Sequence, residues 1–306
     1  MTKLHIGPVP EWVSSNADAY ADIYTRHYPV LDPETLADNS YDEIVLAAPA
    51  QNEARRYLIA LALKALKENG SFVVTAAKTA GGSRLAKEIE AIGLDVATDS
   101  RNHAKTITTT KTSALNGEFL DIWIAQGELQ LLPESDIWTQ PGIFCWDRID
   151  PGTELLLPHL QKLSGRGADI GCGLGLLSII SLENNQDITS LVLCDNDRRA
   201  INAARENLAE AHEKTSFIWH DALLPHDALK ELDFIIINPP FHIEGTEDRS
   251  LGQKLLIRVA DMLKRNGKAL IVANRHLPYE TILAQHYREI KVIEENRGYK
   301  ILEARK

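Results

Sequence analysis

The stretch 168-ADIGCGLGLLSI-179 decides how the rest of this chain is read. An apolar run ends at Asp169 and Ile170, a turn carries Gly171, Gly173 and Gly175, and an apolar helical pattern opens at Leu176. Strand, glycine-rich turn and helix start make the first half of a βαβ unit. Glycine tolerates a left-handed backbone and lets a ligand approach the main chain, and the following helix N-terminus leaves N–H groups unpaired. A dinucleotide turn G-x-G-x-x-G would need a third glycine where Leu176 stands. The pattern D-x-G-x-G-x-G, headed by Asp169, therefore points away from a nicotinamide cofactor.

Outward from that turn the rhythm continues. Strand 190-SLVLCD-195 ends in Asp195, helix 197-DRRAINAARENLAEAH-212 follows, and strand 216-SFIWHD-221 ends in Asp221. A fourth strand, 232-LDFIIIN-238, precedes helix 250-SLGQKLLIRVADMLKRNG-267, strand 268-KALIVAN-274 and a closing segment 299-YKILEAR-305. Apolar strand centres separated by helices predict a doubly wound α/β sheet, with the last strands antiparallel across the turn at 295-ENRG-298. An acid ending the second strand can accept from both hydroxyls of a ribose, and one ending the third can accept from an adenine amine. Both lie at the carboxyl edge, where such sheets bind ligands. Singly, each acid is as readily a helix cap or turn residue. In order, at successive strand ends, they favour an adenosine ligand.

The first half repeats the pattern more faintly, with strands at 41-YDEIVLAAP-49, 71-SFVVTA-76 and 119-FLDIWIA-125 and helices at 53–70 and 83–93. Internal similarity supports a duplication. The segment 66-LKENGSFVVTAAK-78 lies against 263-LKRNGKALIVANR-275, and 42-DEIVLAAPA-50 against 233-DFIIINPPF-241. The fold predicted is α/β, two tandem doubly wound Rossmann-like domains over residues 1–135 and 136–306. The N-terminal one is degenerate: it has no second glycine-rich turn, and Ala47-Ala48 stands where the later copy has Asn238-Pro239.

The totals narrow the class. With 306 residues, 44% hydrophobic and 25% charged, the chain can build real cores. The opening MTKLHIGPVPEW lacks the apolar region of a secretory signal, and no apolar run approaches a membrane span. Cys145, Cys172 and Cys194 show no C-x-x-C spacing and are expected as reduced core thiols of a cytoplasmic protein. A net charge of −10, most of it in the first half, argues against sequence-independent duplex binding.

The end of the fourth strand, 238-NPPFH-242, carries the chemistry. A proline after Asn238 holds that residue extended, and Pro239 is restricted in turn by Pro240. Two prolines stiffen the loop and remove two N–H donors, which leaves carbonyls that only accept. Such a corner suits a substrate NH2: the Asn238 side-chain oxygen and the Pro239 carbonyl take its hydrogens, and Phe241 stacks on a planar ring. Catalysis there would rest on orientation and electrostatic preorganisation, with a cofactor supplying the reactive group and no metal.

This set of residues resembles the class I S-adenosylmethionine-dependent methyltransferases. The resemblance implies cofactor contacts at Asp169, Gly171, Gly173 and Gly175, at Asp195 and Asn196, at Asp221 and Ala222, and at Asn238. It implies catalytic roles for Asn238, Pro239, Pro240 and Phe241. The stretches 141-PGIFCWDRIDPGTELLL-157, 238-NPPFH-242 and 271-IVANRHLPY-279 narrow it to the ribosomal RNA guanine-N2 methyltransferases, the small-subunit enzyme favoured over its large-subunit relative. The partner implied is ribosomal RNA or a ribosomal subunit, with no membrane and no obligate protein partner. One departure is Cys145-Trp146 where that family usually carries Ser-Arg before its Asp. Arg275, His276, Arg297 and Lys300 are candidate RNA contacts, Phe144 and Trp146 candidate pocket residues, and His242 a candidate contact only. The competing readings are a protein glutamine N-methyltransferase and a non-catalytic assembly factor that retains the fold.

Overall fold

The computed structural model describes residues 1–25, 30–211, 213–239, 242–243, 246–247 and 249–306, with backbone alone at 242–243, 246–247 and 249–250. The chain forms two compact units, Met1–Leu129 and Gln130–Lys306. Among the described residues no helix is long and apolar enough to cross a membrane.

In the first unit β1 (Lys3–Ile6), β2 (Ala19–Ala21) and β3 (Tyr41–Ala47) precede α1 (Asn52–Ala65) and β4 (Leu66–Ala77). Then come α2 (Leu85–Ala91), a hairpin of β5 (Ala97–Arg101) and β6 (Ala104–Thr110), and α3 (Gly117–Gly127). The sheet order is β2-β1-β3-β4-β6-β5. β1 to β4 run parallel, and β6 is antiparallel to both β4 and β5.

The segment 119–125 is helical, not the strand its apolar run suggested. Asn116 caps it by accepting from Glu118 N and Phe119 N, at 3.1 and 3.4 Å, and it buries Leu120, Trp123 and Gly127 at helical spacing. The β5–β6 hairpin replaces the strand expected there. It turns through Asn102 and His103, both at positive φ, and every residue of β5 is exposed.

The second unit opens with a short pair, β7 (Gln130–Leu131) and β8 (Trp138–Thr139). α4 (Pro151–Leu156), β9 (Gly165–Ile170), α5 (Leu176–Asn184), β10 (Ile188–Asp195) and α6 (Arg198–Asn207) follow. Next are β11 (Thr215–Trp219), β12 (Leu232–Ile237) and a two-residue pair, β13 (His242–Ile243) with β14 (Thr246–Glu247). α7 (Arg249–Met262), β15 (Leu263–Asn274), α8 (Tyr279–Leu283), β16 (Glu289–Asn296) and β17 (Tyr299–Arg305) complete it. The sheet order is β11-β10-β9-β12-β15-β17-β16, parallel except for β17, which runs antiparallel to both β15 and β16. The antiparallel close matches the expectation.

β12 explains its own isoleucines. Phe234 and Ile236 pack into one apolar cluster with Leu156, Leu191 and Leu270, while Ile235 and Ile237 join the opposite one with Val259, Met262 and Ala269. A central parallel strand buried on both faces cannot alternate with polar residues. Phe234 also depends on its neighbour: a Cβ on Gly167 would lie 2.1 Å from the phenyl ring.

Apart from β11, the two sheets share one strand order and one pattern of direction. The correspondence reaches single bonds. Lys67 pairs with Asp42 at 2.9 Å, and Lys264 pairs with Asp233. Asn69 and Asn266 both adopt positive φ, and they donate to Lys111 O and Lys306 O at 2.8 and 3.1 Å. Lys111 and Lys306 then reach back to Leu66 O and Leu263 O, at 2.6 and 2.8 Å. In both copies the strand begins earlier than expected, at Leu66 and Leu263, across a register irregularity.

Candidate active site

Register places the site. Ile170 of β9 pairs with Cys194 of β10 on one side and Ile237 of β12 on the other. The next residue on each parallel strand leaves the sheet at the same edge, so Gly171, Asp195 and Asn238 emerge in one row. Adjacent strands lie about 4.8 Å apart, which puts Asn238 about one strand spacing from the glycine turn and about two from Asp195. Strand order reverses between β9 and β12, and such a switch point opens a crevice at the carboxyl edge.

The three glycines do different work. Gly171 and Gly173 have φ of +70° and +52°, and a Cβ on either would meet nothing within 4 Å. Their backbone faces open space. Gly175, at φ +79°, is a packing residue: a Cβ there would lie 2.9 Å from Leu208 Cδ1 and 3.2 Å from Ala204 Cβ. It lets α5 start close against α6.

Asp169 is fully buried within β9. Its Oδ2 accepts from the Ser178 hydroxyl at 2.7 Å, while Oδ1 has no hydrogen-bond partner among the described residues. Burial pushes its carboxyl up to about 7, with the nearby Asp195 charge adding to the rise against the Ser178 bond. Asp195 ends β10, where Gly173 N donates to its Oδ2 at 3.0 Å and Asp197 N to its Oδ1 at 2.9 Å. Desolvation, then the Asp197 charge, pushes it to about 6 against those bonds. Asn196 is exposed, and its carbonyl accepts from Trp219 Nε1 at 2.9 Å. β11 stops at Trp219, so Asp221 lies past the strand end; there its Oδ1 accepts from Leu223 N at 2.9 Å in a local turn beside buried Ala222.

Asn238 is partly exposed at the end of β12, and Pro239 behind it is buried. The Asn238 Nδ2 donates to Asp150 Oδ2 and to Thr153 Oγ1, each at 2.9 Å. Pro240, Phe241 and the His242 side chain lie outside the described residues.

Sequence reasoning missed the residues that hold this edge together. Thr153 lies in α4, and Asp150 caps that helix by accepting from Thr153 N at 2.8 Å. Asn207 donates to Leu174 O of the glycine turn and to Trp138 O, both at 2.9 Å. Arg199, paired with Asp197 at 2.7 Å, donates to Pro141 O and Gly142 O, both at 3.0 Å. The contacts that join separate elements here span 33 to 88 residues, so spacing carried no sign of them.

Two other expectations change. Lys300 is buried, with its Nζ donating to Leu277 O at 2.8 Å and to Glu280 at 2.7 Å, which removes it from the RNA candidates. Arg275 and Arg297 are exposed beside Glu295 and Glu154 respectively, and His276 is exposed. Cys172 and Cys194 are buried free thiols as expected, but Cys145 is only half-buried, in a loop whose Phe144 is 69% exposed. Trp146 is partly exposed.

A glycine turn, an acid-ended neighbouring strand and an Asn-Pro corner stand in one row at the carboxyl edge, the arrangement expected of a Rossmann-like methyltransferase. Residues 134–303 match the family model of the methyltransferase small domain. The chain belongs to this family, and within it to the ribosomal RNA small subunit methyltransferase C group. A relative of that name from Shewanella baltica is 32% identical, over 97% of this chain and 83% of its own length. Another from Acinetobacter baylyi is 28% identical, over 89% and 81%. A solved structure, the T. thermophilus 16S rRNA N2 G1207 methyltransferase in complex with AdoMet and guanosine, matches with a TM-score of 0.79. It is 21% identical and covers 100% of this chain and 88% of its own, which shows that both units share its fold.

Proposed function

We propose that this protein methylates the exocyclic N2 amine of a guanine in small-subunit ribosomal RNA, using S-adenosylmethionine. In this reading residues 136–306 are catalytic, residues 1–135 are a degenerate copy, and the substrate is ribosomal RNA or the small subunit in the cytoplasm. The names of its relatives and the methyl donor and nucleoside bound by its structural neighbour support the substrate class.

The residues present fit the cofactor. Gly171 and Gly173 offer open main chain at left-handed φ, Asp169 holds an unpartnered buried oxygen, and Asp195 is a carboxylate at the crevice. Asp195 and Asn196 would hold the ribose, Asp221 and Ala222 would meet the adenine, and Asp169 with the glycine turn, Gly175 included, would surround the amino-acid end. When bound, S-adenosylmethionine supplies a methyl group activated by its sulfonium. The chain's own residues bind, orient and exclude water.

The observation that carries the reading is the orientation of Asn238. A carboxylate only accepts, so the end of the amide facing Asp150 must be its NH2. Oδ1 is then the end left for a substrate. An exocyclic guanine amine delocalises its lone pair into the ring. Two acceptors, Asn238 Oδ1 and the Pro239 carbonyl, would engage its two hydrogens and turn the lone pair toward the methyl group, while Phe241 would stack on the base.

The test uses small subunits from cells lacking the enzyme, a labelled methyl donor and mass spectrometric mapping of N2-methylguanosine. The wild type should methylate a 16S guanine, and Asn238→Ala should retain donor affinity while losing turnover by about 10²-fold or more. A wild-type protein that leaves every guanine N2 unmethylated would refute the proposal.

A further inference from the structure

Asn238 can serve as an acceptor only if its amide is held one way round. Nothing about an asparagine guarantees this, because the two ends are nearly the same size and differ only in what they hydrogen-bond. Here both Nδ2 hydrogens are accounted for within the protein, one by Asp150 Oδ2 and one by Thr153 Oγ1. We propose that Asp150 and Thr153 are positioning residues that lock the Asn238 carboxamide with Oδ1 presented to the substrate amine. The inference rests on the methyltransferase reading above and deepens it.

The clamp is itself anchored. Asp150 Oδ2 also accepts from Thr153 N at 2.8 Å, so the oxygen that caps α4 is the one that grips the amide. Pro151 opens the helix with its φ already fixed. Gly152 lies so close to the sheet that a Cβ there would stand 2.8 Å from Val272 Cγ1 on β15 and 2.9 Å from the Tyr299 ring on β17. The helix is thus pressed onto strands beyond β12, and its first turn cannot drift away from Asn238.

The lock also has an electronic consequence. An amide whose NH2 donates to a carboxylate is polarised, and its carbonyl oxygen becomes a stronger acceptor. A released amide would lose that polarisation and would spend time flipped, with its NH2 facing the substrate NH2. Donor would then meet donor, and the reactive geometry would be lost.

Capping and positioning can be separated by mutation. In Asp150→Ser the shorter side chain still caps the helix but falls short of Asn238. Thr153→Val keeps the branched shape and removes only the hydroxyl. The combined variant Asp150→Ser/Thr153→Val should lower kcat by about 10- to 100-fold, with donor Kd within about threefold of wild type. Asp150→Asn, whose amide oxygen can take both bonds, should restore kcat to within a few-fold. In an Asn238→Ala background the combined variant should lower kcat no further, because the clamp acts through a side chain already gone. If the combined variant does not fold, Thr153→Val alone leaves the cap intact and should still lower kcat about threefold or more. An unchanged kcat, or a loss that multiplies with that of Asn238→Ala, would overturn the positioning role while leaving the proposed function standing. Full turnover by Asn238→Ala itself would instead remove the acceptor role and the clamp with it.

Discussion

Asp169→Asn should make the protein less sensitive to alkaline pH while weakening its hold on the methyl donor. Burial raises the Asp169 carboxyl from 3.8 to about 7. A carboxyl whose folded pKa lies above its unfolded value contributes stability below about pH 4, and that contribution is lost as pH rises through about 7. Ionising it inside the fold costs about 1.4 kcal/mol for each tenfold change in its acidity. Linkage then makes the wild type lose about 2–3 kcal/mol between pH 5 and pH 8 from this group alone. Asparagine does not titrate, so the variant lacks this loss. For a unit of this size the gap in Tm between variant and wild type should widen by about 5–10 °C over that range. The offset at any one pH depends on how the amide replaces the Ser178 bond, but the change with pH does not. The assay is thermal unfolding of the full chain at half-unit pH steps, with the second unit's transition assigned by its shift on adding donor. Isothermal titration supplies the other arm: wild-type affinity should rise from pH 6 to pH 8 with proton release, and the release should shrink in the variant. Parallel Tm curves from pH 5 to pH 8 would refute the argument.

Two further outcomes follow from the same geometry. Gly173→Ala places a side chain at φ +52°, costing about 1–2 kcal/mol, and puts a methyl into the open space proposed for the donor. Donor Kd, measured by calorimetry, should rise at least about tenfold while the second unit loses only a few degrees of Tm. In the first unit, Arg55 is fully buried and pairs through Nε and Nη2 with Glu88, both at 2.9 Å. Arg55→Met leaves Glu88 with Arg56 alone and should destabilise the first unit by about 3–5 kcal/mol, whereas Arg55→Met/Glu88→Leu should recover most of it in urea unfolding.

The sequence marked the candidate site where physics forces a local pattern. The turn at Gly171 to Gly175 needs left-handed backbone, β12 needs apolar residues on both faces, and an acid closes β10; each leaves its mark within a few neighbours. Misreadings came where the marks are weak or distant. In 119–125 the apolar residues satisfy a strand and a helix alike, and only the Asn116 cap with Leu120, Trp123 and Gly127 at helical spacing separates them. The β5–β6 hairpin is an exposed outer edge, so no buried face stamps an alternation on it. Lys300 reads as a surface charge from its neighbours in sequence and is an internal anchor in the fold. Asp150 could not be linked to Asn238, because 88 residues separate them and only the packing of α4 on the sheet joins them.

Comparing the two units row by row shows what binding requires beyond the fold. In the first unit Ile6 pairs with Ala21 and Leu46, so Gly7, Asp22 and Ala47 stand where the second has Gly171, Asp195 and Asn238. Two of the three positions make the same local bonds. Gly7 has φ +74° and donates to Ala21 O at 2.9 Å, as Gly171, at +70°, donates to Cys194 O at 2.8 Å. Asp22 accepts from Tyr24 N at 3.0 Å, the bond Asp195 makes with Asp197 N. A single glycine among 7-GPVPEW-12 gave no sequence signal, yet it performs the same turn. These shared residues are the ones the backbone itself needs: a glycine to leave the strand and an aspartate to close the turn after it. What differs is the space around the glycine and the side chain at the end of the central strand. A Cβ on Gly7 would meet Ala47 O at 3.0 Å, where Gly171 faces open space, and Ala47 has no side-chain acceptor to offer. Arg55, paired with Glu88, also donates to Ala50 O at 2.9 Å, so a buried side chain of the first unit already holds the chain just past Ala47. An Asn installed at position 47 should therefore confer neither donor binding nor turnover on the first unit, since the lost side chain is only one of several obstacles at that edge.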